Sequence, residues 1–393
     1  MTQLYSELNK SKDLEKLVSG VDITPTMYNN AVDKYQALGK FFEENGIECD
    51  IYPQGSFALG TVVRPLKTGK QSDYDLDFIC LVKNSKKETD PEKLKNLIGD
   101  LLKRNKIYCE KLTEYEKCWT LNYSEINNVG FNIDIIPSIN DTPYSMDLNT
   151  SNFIFITDKN FENGESTWIK SNPKDYTNWF LSINSMYPQH SERKEFMESF
   201  QNSVEELPDL FERTSLQRVI QILKLHRDYY YTQRKKEKKK VISAIITTLC
   251  AKIAHNTNFT LLNTEELLQH IINELKIYSQ YNLLLESEFD QRYKDKKVIK
   301  KSYNKWKIEN PVNPEDNLAD QWNEDSEKPV LFFDWINCIN EDFIKSKDTS
   351  YIYSLNNVFG ESYVNSRLDT TKYRVLLEDK KELIPAKPWR NNE

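Results

Sequence analysis

The chain has 393 residues, a net charge of −7 and a hydrophobic content of 38%, which suits one large two-lobed domain or two ordinary ones. With this acidic balance the whole molecule is not a generic nucleic-acid binder, which weighs against a polymerase bound to a template. The six cysteines form no CxxC pair and have no histidine partners at zinc spacing, so we expect free thiols in a reducing compartment. The first residues lack a signal-peptide pattern, and no apolar run approaches the ~20 residues of a membrane span. We therefore expect a cytoplasmic protein with no membrane partner.

The elements alternate between helices and strands in the first half of the chain. Residues 1–46 repeat apolar residues at helical spacing, with a helix start at Thr24-Pro25 and an end at Gly46. A strand, a turn into a helix and a second strand are expected over 47–82. A helix is expected from Asp90 to Asn105, followed by strands near 117–123, 130–136 and 153–157 and a helix starting within 172–180. This mixture predicts a core of sheet and helices.

A glycine-serine turn and an acidic strand lie close together in this core. The first is Pro53-Gln-Gly-Ser-Phe-Ala-Leu-Gly-Thr61, in which Gly55 and Ser56 can present backbone N–H groups to a phosphate. The second places Asp73, Asp75 and Asp77 at alternate positions, so that all three point to one face of a strand. Three carboxylates on one face repel each other, and a hard divalent cation is the natural counter-charge.

A fourth acid fits the same site. Asp134 stands at the centre of the apolar strand Phe131-Asn-Ile-Asp-Ile-Ile-Pro137, where a carboxylate is costly unless it is paired or liganded. Two acids from the first strand and Asp134 from the second would hold two Mg²⁺ ions, with Mn²⁺ as a substitute. Either adjacent pair of the first strand satisfies the spacing. A solvated acidic turn is the ordinary alternative, but apolar residues follow directly on these acids where turn residues would be expected.

From about residue 190 the pattern is helical. Leu216, Val219, Ile220 and Leu223 have the spacing of a buried helix, and Lys224 stands at the edge of this stripe. On its own Lys224 is equally compatible with a surface lysine whose stem packs on the apolar stripe. Ser243 starts the next helix, where it is either a plain helix cap or a phosphate ligand. The basic run 232–240 between the two helices is more typical of a solvated loop than of a nucleotide- or RNA-binding patch.

The ordered set of motifs resembles a known family. Gly-Ser, then Asp-x-Asp on a strand, then a lone Asp on a later strand is similar to the polymerase-β-like nucleotidyltransferases. The wider chain resembles the bacterial cGAS/DncV-like nucleotidyltransferases, the second-messenger synthases of anti-phage defence. The similar segments are Pro53–Thr61, Arg64–Lys67, Asp73–Val82, Asp134–Pro137, Asn172–Phe180, Leu216–Asp228, Ser243–Leu249 and Asn313–Trp322. Together they run from near residue 50 to near 325 in the family's order.

The resemblance implies an α+β fold in which a mixed-sheet nucleotidyltransferase core is joined to a helical C-terminal lobe, with the active site in the cleft between them. We expect the core, with its N-terminal helix, over 1–205 and the helical lobe over 206–393. The resemblance favours Asp73 and Asp75, together with Asp134, as the catalytic metal ligands. It also implies that Gln54, Gly55, Ser56, Lys224 and Ser243 bind the nucleotide.

The expected activity is synthesis of a cyclic di- or trinucleotide from NTPs, ATP among them, with release of pyrophosphate. The product would act on a downstream effector in CBASS anti-phage signalling. A pyrimidine cyclase that makes a cyclic mononucleotide is one alternative. A nucleotide sensor without catalysis is another, although such a protein usually lacks one of the acids. A nucleotide-adding RNA enzyme fits poorly with the net charge.

Overall fold

A computed structural model of the protein describes residues 2–64, 66–67, 70–71, 74–83, 88–126, 129–140, 152–187, 213–257 and 262–370. The predicted boundary at 205/206 lies outside these residues, and so does Asp73. Within them, each helix is either too short or too polar to cross a lipid bilayer.

Two helices precede the sheet, as the spacing predicted. Helix α1 is Thr2–Ser19 and helix α2 is Pro25–Glu44. The Thr24 side chain accepts a hydrogen bond from the Met27 N–H at 3.3 Å, which caps the start of α2. After α2, Gly46 has a φ of +78°, a left-handed conformation that glycine adopts without strain.

A seven-stranded mixed sheet forms the first half of the molecule. Its strands are β1 (Cys49–Pro53), β4 (Tyr74–Val82), β5 (Leu112–Glu114), β6 (Trp119–Ile126), β7 (Val129–Asn140), β8 (Ile154–Lys159) and β9 (Ser166–Ser171). The order is β1-β4-β7-β6-β5, and β8 pairs with the far end of β7 and carries β9. Strands β4 and β7 are parallel, whereas every other pair in this sheet is antiparallel. The predicted strands are confirmed; β5 and β9 were not predicted.

The remaining elements are mainly helices. They are α3 (Gly55–Ala58), α4 (Pro91–Arg104), α5 (Lys106–Cys109), α6 (Pro173–Asn184), α7 (Ser215–Gln233), α8 (Ser243–His255), α9 (Thr264–Tyr278), α10 (Glu286–Arg292), α11 (Asp320–Glu324), α12 (Glu327–Ile339), α13 (Asp348–Phe359) and α14 (Glu361–Arg367). Short strand pairs lie at β2 (Leu66–Lys67) with β3 (Lys70–Gln71), β10 (Lys300–Ser302) with β11 (Lys305–Lys307), and β12 (Glu309–Asn310) with β13 (Asn313–Asn317). The mixed sheet followed by helices confirms the predicted α+β class.

The described residues pack around two main hydrophobic cores. One core lies between the sheet and the helices α2 and α4. The other is formed mainly by the helices α6 through α9 and α12 through α14. Helix α1 contributes Leu14, Leu17 and Val18 to the helical core, although it is at the other end of the chain. At its C-terminal end, the Leu17 carbonyl accepts a hydrogen bond from the Tyr363 hydroxyl at 2.8 Å.

Helix α7 connects the helical half to the segment that follows α3. The Gln217 amide donates to the Leu59 carbonyl at 2.9 Å, and the Gln221 amide donates to the Val62 carbonyl at 2.8 Å. These side chains are buried and four residues apart, so they lie on one face of the helix. A buried hydrogen bond of this kind fixes geometry because an unpaired amide there would be costly.

Two helical glycines give opposite expectations for stability. A Cβ at Gly99 in α4 would overlap the indole ring of Trp119, whereas a Cβ at Gly39 in α2 would have Ile51 Cδ1 as its nearest neighbour at 3.7 Å. We expect Gly99→Ala to lower the free energy of unfolding by roughly 1–3 kcal/mol through overpacking. Gly39→Ala should raise it by about 0.5–1 kcal/mol, since alanine favours the helix. Urea unfolding of both variants checks this, and equal effects would contradict the packing of Trp119 on α4.

Candidate active site

The glycine-serine turn packs directly on the acidic strand. Helix α3 begins at Gly55, and the Gln54 N–H donates to the carbonyl of Asp77 at 2.9 Å. Gly55 has a φ of +59°, and a Cβ at this position would lie 2.7 Å from the Asp77 carboxylate oxygen Oδ2. Only glycine satisfies both the backbone conformation and the space. The turn therefore approaches the acids at the first residue of α3.

The parallel pairing of β4 with β7 brings the acids together. Asp77 is the register partner of Asp134, and Asp75 is the partner of Asn132. The Asn132 amide donates to Asp75 Oδ1 at 3.0 Å, and the Thr120 hydroxyl on β6 donates to Asp134 Oδ1. Two of the carboxylates are thus oriented by neighbouring side chains.

The acids of this group oppose one another's ionisation. Burial raises the pKa of Asp77 to about 7, and the charges of Asp134 and Asp75 add to the effect. Burial is also the main reason that the pKa of Asp134 is raised, with Asp75 contributing. Carboxylate oxygens that repel each other in this way are the hard donor set that Mg²⁺ or Mn²⁺ prefers. The three acids therefore fit the predicted cations.

The helical wall of the site carries positive charge. Lys224 on α7 donates to the carbonyl and to the hydroxyl of Thr61, both at 3.1 Å. Ser243 is the first residue of α8, and the preceding Ile242 supplies no side-chain cap. The first N–H groups of a helix have no intrahelical partner, so this end of α8 suits an anion. Burial, followed by the charge of Arg227, lowers the pKa of Lys224 to about 7.

These groups line one cavity of about 420 Å³, within the usual range for a small-molecule site. Of the predicted site residues, it brings together Gly55, Ser56, Asp75, Asp134, Lys224 and Ser243. The lining also contains Leu59, Thr61, Val62, Val63, Tyr74, Asp77, Tyr176, Arg227, Asp228, Lys240, Ala244 and Thr247. Gln54 is not part of the lining. Asp73 lies outside the described residues, so its role as a ligand stays a prediction.

Sequence reasoning missed Arg227, Asp228 and Tyr176 as cavity residues. Arg227 is three positions after Lys224 on α7, a helical spacing that places both side chains on one face. That spacing was a signal which could have identified it. Tyr176 comes from α6, and only the fold brings it to the cavity, where its hydroxyl lies 2.8 Å from the Thr248 hydroxyl.

Part of the basic run forms ion pairs within the protein. Lys236 pairs with Glu327 at 2.7 Å, and Lys239 pairs with Asp325 and Glu327 at 2.5 and 3.0 Å. These contacts tie the segment before α8 to the start of α12. They favour the interpretation of the run as a structural surface segment; Lys240 is its one described member in the cavity lining.

A second cluster has ligand atoms at metal-binding distances, but both ring nitrogens of its histidine are already engaged in hydrogen bonds. His226, Cys338 and Asp342 are, among the described residues, the one set of three whose ligand atoms all lie within 4.8 Å. However, the Trp335 indole N–H donates to His226 Nδ1 at 3.1 Å, so Nε2 carries the proton and donates to Asp342 at 2.9 Å. We interpret the cluster as a buried structural network.

The chain is similar to known proteins in sequence and in fold. Residues 8–184 match the family model described as the Second Messenger Oligonucleotide or Dinucleotide Synthetase domain, SMODS. A c-di-GMP synthase from Roseivirga ehrenbergii is 28% identical over 332 residues, which cover 83% of this chain and 76% of the relative.

Two solved structures share the fold. The Bradyrhizobium diazoefficiens CD-NTase CdnG in complex with GTP has a TM-score of 0.65 at 17% identity, covering 93% of this chain and 99% of the other. The GTP-bound form of Vibrio cholerae DncV has a TM-score of 0.51 at 16% identity, covering 93% and 86%. Fold, matched domain and sequence similarity agree with the resemblance inferred from the motifs. Residues 8–184 are thus similar to the SMODS domain, and the chain shares its fold with the bacterial CD-NTase CdnG.

Proposed function

We propose that this protein is a metal-dependent synthase that converts NTPs into a cyclic dinucleotide and releases pyrophosphate. The observation that carries the proposal is the cavity itself, in which the carboxylates of β4 and β7 face a basic wall and an open helix N-terminus. The sequence similarity to a c-di-GMP synthase makes GTP our first choice of substrate, with ATP also to be tested.

Asp75, Asp77 and Asp134 are the proposed ligands of two Mg²⁺ ions, since these three acids share the cavity. Bound there, the ions would lower the pKa of the attacking hydroxyl and neutralise the leaving pyrophosphate. Thr120 and Asn132 hold two of the carboxylates in place through their hydrogen bonds. The proposal of Asp77 rests on its place in the cavity and on its register position beside Asp134.

The remaining residues would bind and orient the nucleotide. In the reaction, a ribose hydroxyl oxygen of one nucleotide bonds to the α-phosphorus of another, and the bond to the bridging oxygen of pyrophosphate breaks. The hydroxyl proton passes to solvent. Gly55 and Ser56 at the α3 turn and Ser243 at the start of α8 offer donors to the phosphates from opposite walls. Lys224 on α7 adds a further hydrogen-bond donor, and a second round of the same transfer closes the ring.

Further parts of the proposal concern biology. We propose that the product activates a downstream effector in CBASS anti-phage defence, that the enzyme works in the cytoplasm, and that it needs no nucleic-acid template. Co-expression with its genomic neighbours during phage infection would test the first point. Protection that persists with an inactive site would contradict it.

The direct test is incubation with the four NTPs and Mg²⁺ or Mn²⁺, followed by phosphatase treatment and mass spectrometry. We expect a phosphatase-resistant cyclic dinucleotide and free pyrophosphate. A resistant trinucleotide would change the ring size, whereas a cyclic mononucleotide would identify a pyrimidine cyclase. Nucleotide binding without any product under these conditions would favour a sensor.

A further inference from the structure

One side chain of the cavity wall contacts both ends of the segment that leads into α8. Arg227 Nη1 donates to the Ser243 hydroxyl oxygen at 3.0 Å and to the Val241 carbonyl at 3.2 Å. The arginine itself is buried, with its guanidinium at the cavity. These contacts connect α7 to the first residue of α8.

The direction of the Arg227–Ser243 hydrogen bond has a chemical consequence. A guanidinium can only donate, so the serine oxygen is the acceptor. The hydroxyl hydrogen of Ser243 is then left to be donated elsewhere, and the residue lines the cavity. A phosphate oxygen entering the cavity would receive that hydrogen together with the free N–H groups at the start of α8.

The Asp228 carboxylate forms ion pairs with both Arg227 and Lys240. Its Oδ1 accepts from Arg227 Nε at 2.9 Å and pairs with Arg227 Nη2 at 2.9 Å and with Lys240 Nζ at 3.0 Å. One carboxylate therefore faces two cations, which leaves an excess positive charge on this wall. The position of Lys240 is fixed from α7 although the residue belongs to the segment before α8.

We propose that Arg227 and Asp228 are positioning residues of the phosphate site, which present the Ser243 hydroxyl and the Lys240 ammonium to the terminal phosphates of a nucleoside triphosphate. A solely structural role for Arg227, as a cap for the Val241 carbonyl, would affect every ligand of the cavity equally. A positioning role would weaken the binding of a triphosphate more than the binding of a monophosphate. The proposal rests on the proposed nucleotidyltransferase function.

The test compares two guanine nucleotides by titration calorimetry in the presence of Mg²⁺. The first is the α,β-methylene analogue of GTP, which cannot release pyrophosphate, and the second is GMP. We expect Arg227→Gln to weaken binding of the analogue by roughly 10- to 100-fold, the usual scale for losing an orienting partner, and to leave GMP within twofold. Arg227→Lys should remain impaired because an ammonium cannot bridge Ser243, Val241 and Asp228 as the guanidinium does.

A double-mutant cycle separates positioning from simple loss of charge. In the wild type, Ser243→Ala should weaken analogue binding by about tenfold or less, which corresponds to the loss of one hydrogen bond. In the Arg227→Gln background the same change should have less than a twofold effect. Equal effects in both backgrounds, or equal losses for the analogue and GMP, would overturn the proposal.

Lys240 provides a version of the test that does not depend on a buried arginine. Its side chain is 39% exposed, so Lys240→Gln should fold as the wild type does. We expect a three- to tenfold loss of analogue affinity with GMP unchanged, and no change for the exposed Lys238→Gln on the same segment. An unaltered affinity in Lys240→Gln would contradict the proposal, as would a wild type that binds both nucleotides equally. The wild type could make no product from NTPs and still show the coupling between Arg227 and Ser243 in analogue binding. The proposed reaction would then be wrong, whereas the positioning role of Arg227 would be retained.

Discussion

Replacing Asp77 by asparagine is expected to abolish product formation and yet make the metal-free protein more resistant to heat. The loss should be about 10³-fold or more, because a metal ligand provides several kcal/mol of transition-state stabilisation. The gain in stability follows from removing a buried carboxylate whose pKa is raised to about 7 by burial and by Asp134 and Asp75. A rise of a few degrees in Tm is the expected size.

The pH dependence of this effect has a definite sign. The folded protein holds a proton on Asp77 up to about pH 7, whereas the unfolded chain loses it near pH 4. The wild type therefore loses stability as the pH rises from about 4 to about 7, by at most ~1.4 kcal/mol per pH unit. Asp77→Asn lacks this loss, so the difference in Tm should widen over that range and stay constant above it. A constant difference from pH 4 to 8 would contradict the raised pKa.

Two further measurements make the ligand assignment specific. Added Mg²⁺ should raise the Tm of the wild type and not that of Asp77→Asn, because an ion stabilises the folded state only of a protein that binds it. The neighbouring variants Asp75→Asn and Asp134→Asn should also lose activity, whereas Asp73→Asn should retain most of it. Full activity in Asp77→Asn with loss in Asp73→Asn would return the assignment to the pair favoured by the family resemblance.

Gly55→Ala is expected to reduce product formation by at least about 100-fold. Alanine would bring a Cβ to 2.7 Å from Asp77 Oδ2 in a backbone conformation with φ of +59°, so either the turn or the carboxylate must move. A displacement of about 1 Å in a positioned group is enough to cost this factor. The variant should also lose roughly 1–3 kcal/mol of stability from strain and crowding. Steady-state kinetics and urea unfolding measure the two effects.

Gly164→Ala is the matched control. Gly164 also has a positive φ, +76°, but nothing lies within 4 Å of the Cβ that alanine would add. It should show about 1 kcal/mol of destabilisation from the backbone alone and normal turnover. If both variants lose activity alike, the contact between Gly55 and Asp77 is not what sets the site.

The parts of the site that could be predicted are those indicated by residue types and their spacing within a single segment. The acids on β4 stand two residues apart, so their common face follows from the strand period alone. Asp134 was identifiable because a carboxylate in an apolar strand needs a counter-charge. The capped start of α2 at Thr24 and the helical spacing around Lys224 were likewise local signals.

The rest depends on pairing between distant segments. The register of β4 against β7, which places Asp77 beside Asp134, could not be read from the sequence. Strand β9 was missed because Ser166–Ser171 is short and mixed, and it is specified by pairing with β8. The basic run gave no sign of its acidic partners, since Asp325 and Glu327 lie about 90 residues further on.

The packing of α1 has a consequence for how the protein is made. This helix is synthesised before the sheet, but its buried residues belong to a core formed with α7, α9 and, further along the chain, Tyr363, Val364 and Leu368. Its partners are therefore synthesised only after the whole sheet has emerged. Domains generally fold in the order of synthesis, and contacts between distant segments form slowly. The nascent chain must therefore carry α1 without its partners while the whole sheet is synthesised, which makes α1 a segment that a chaperone would protect.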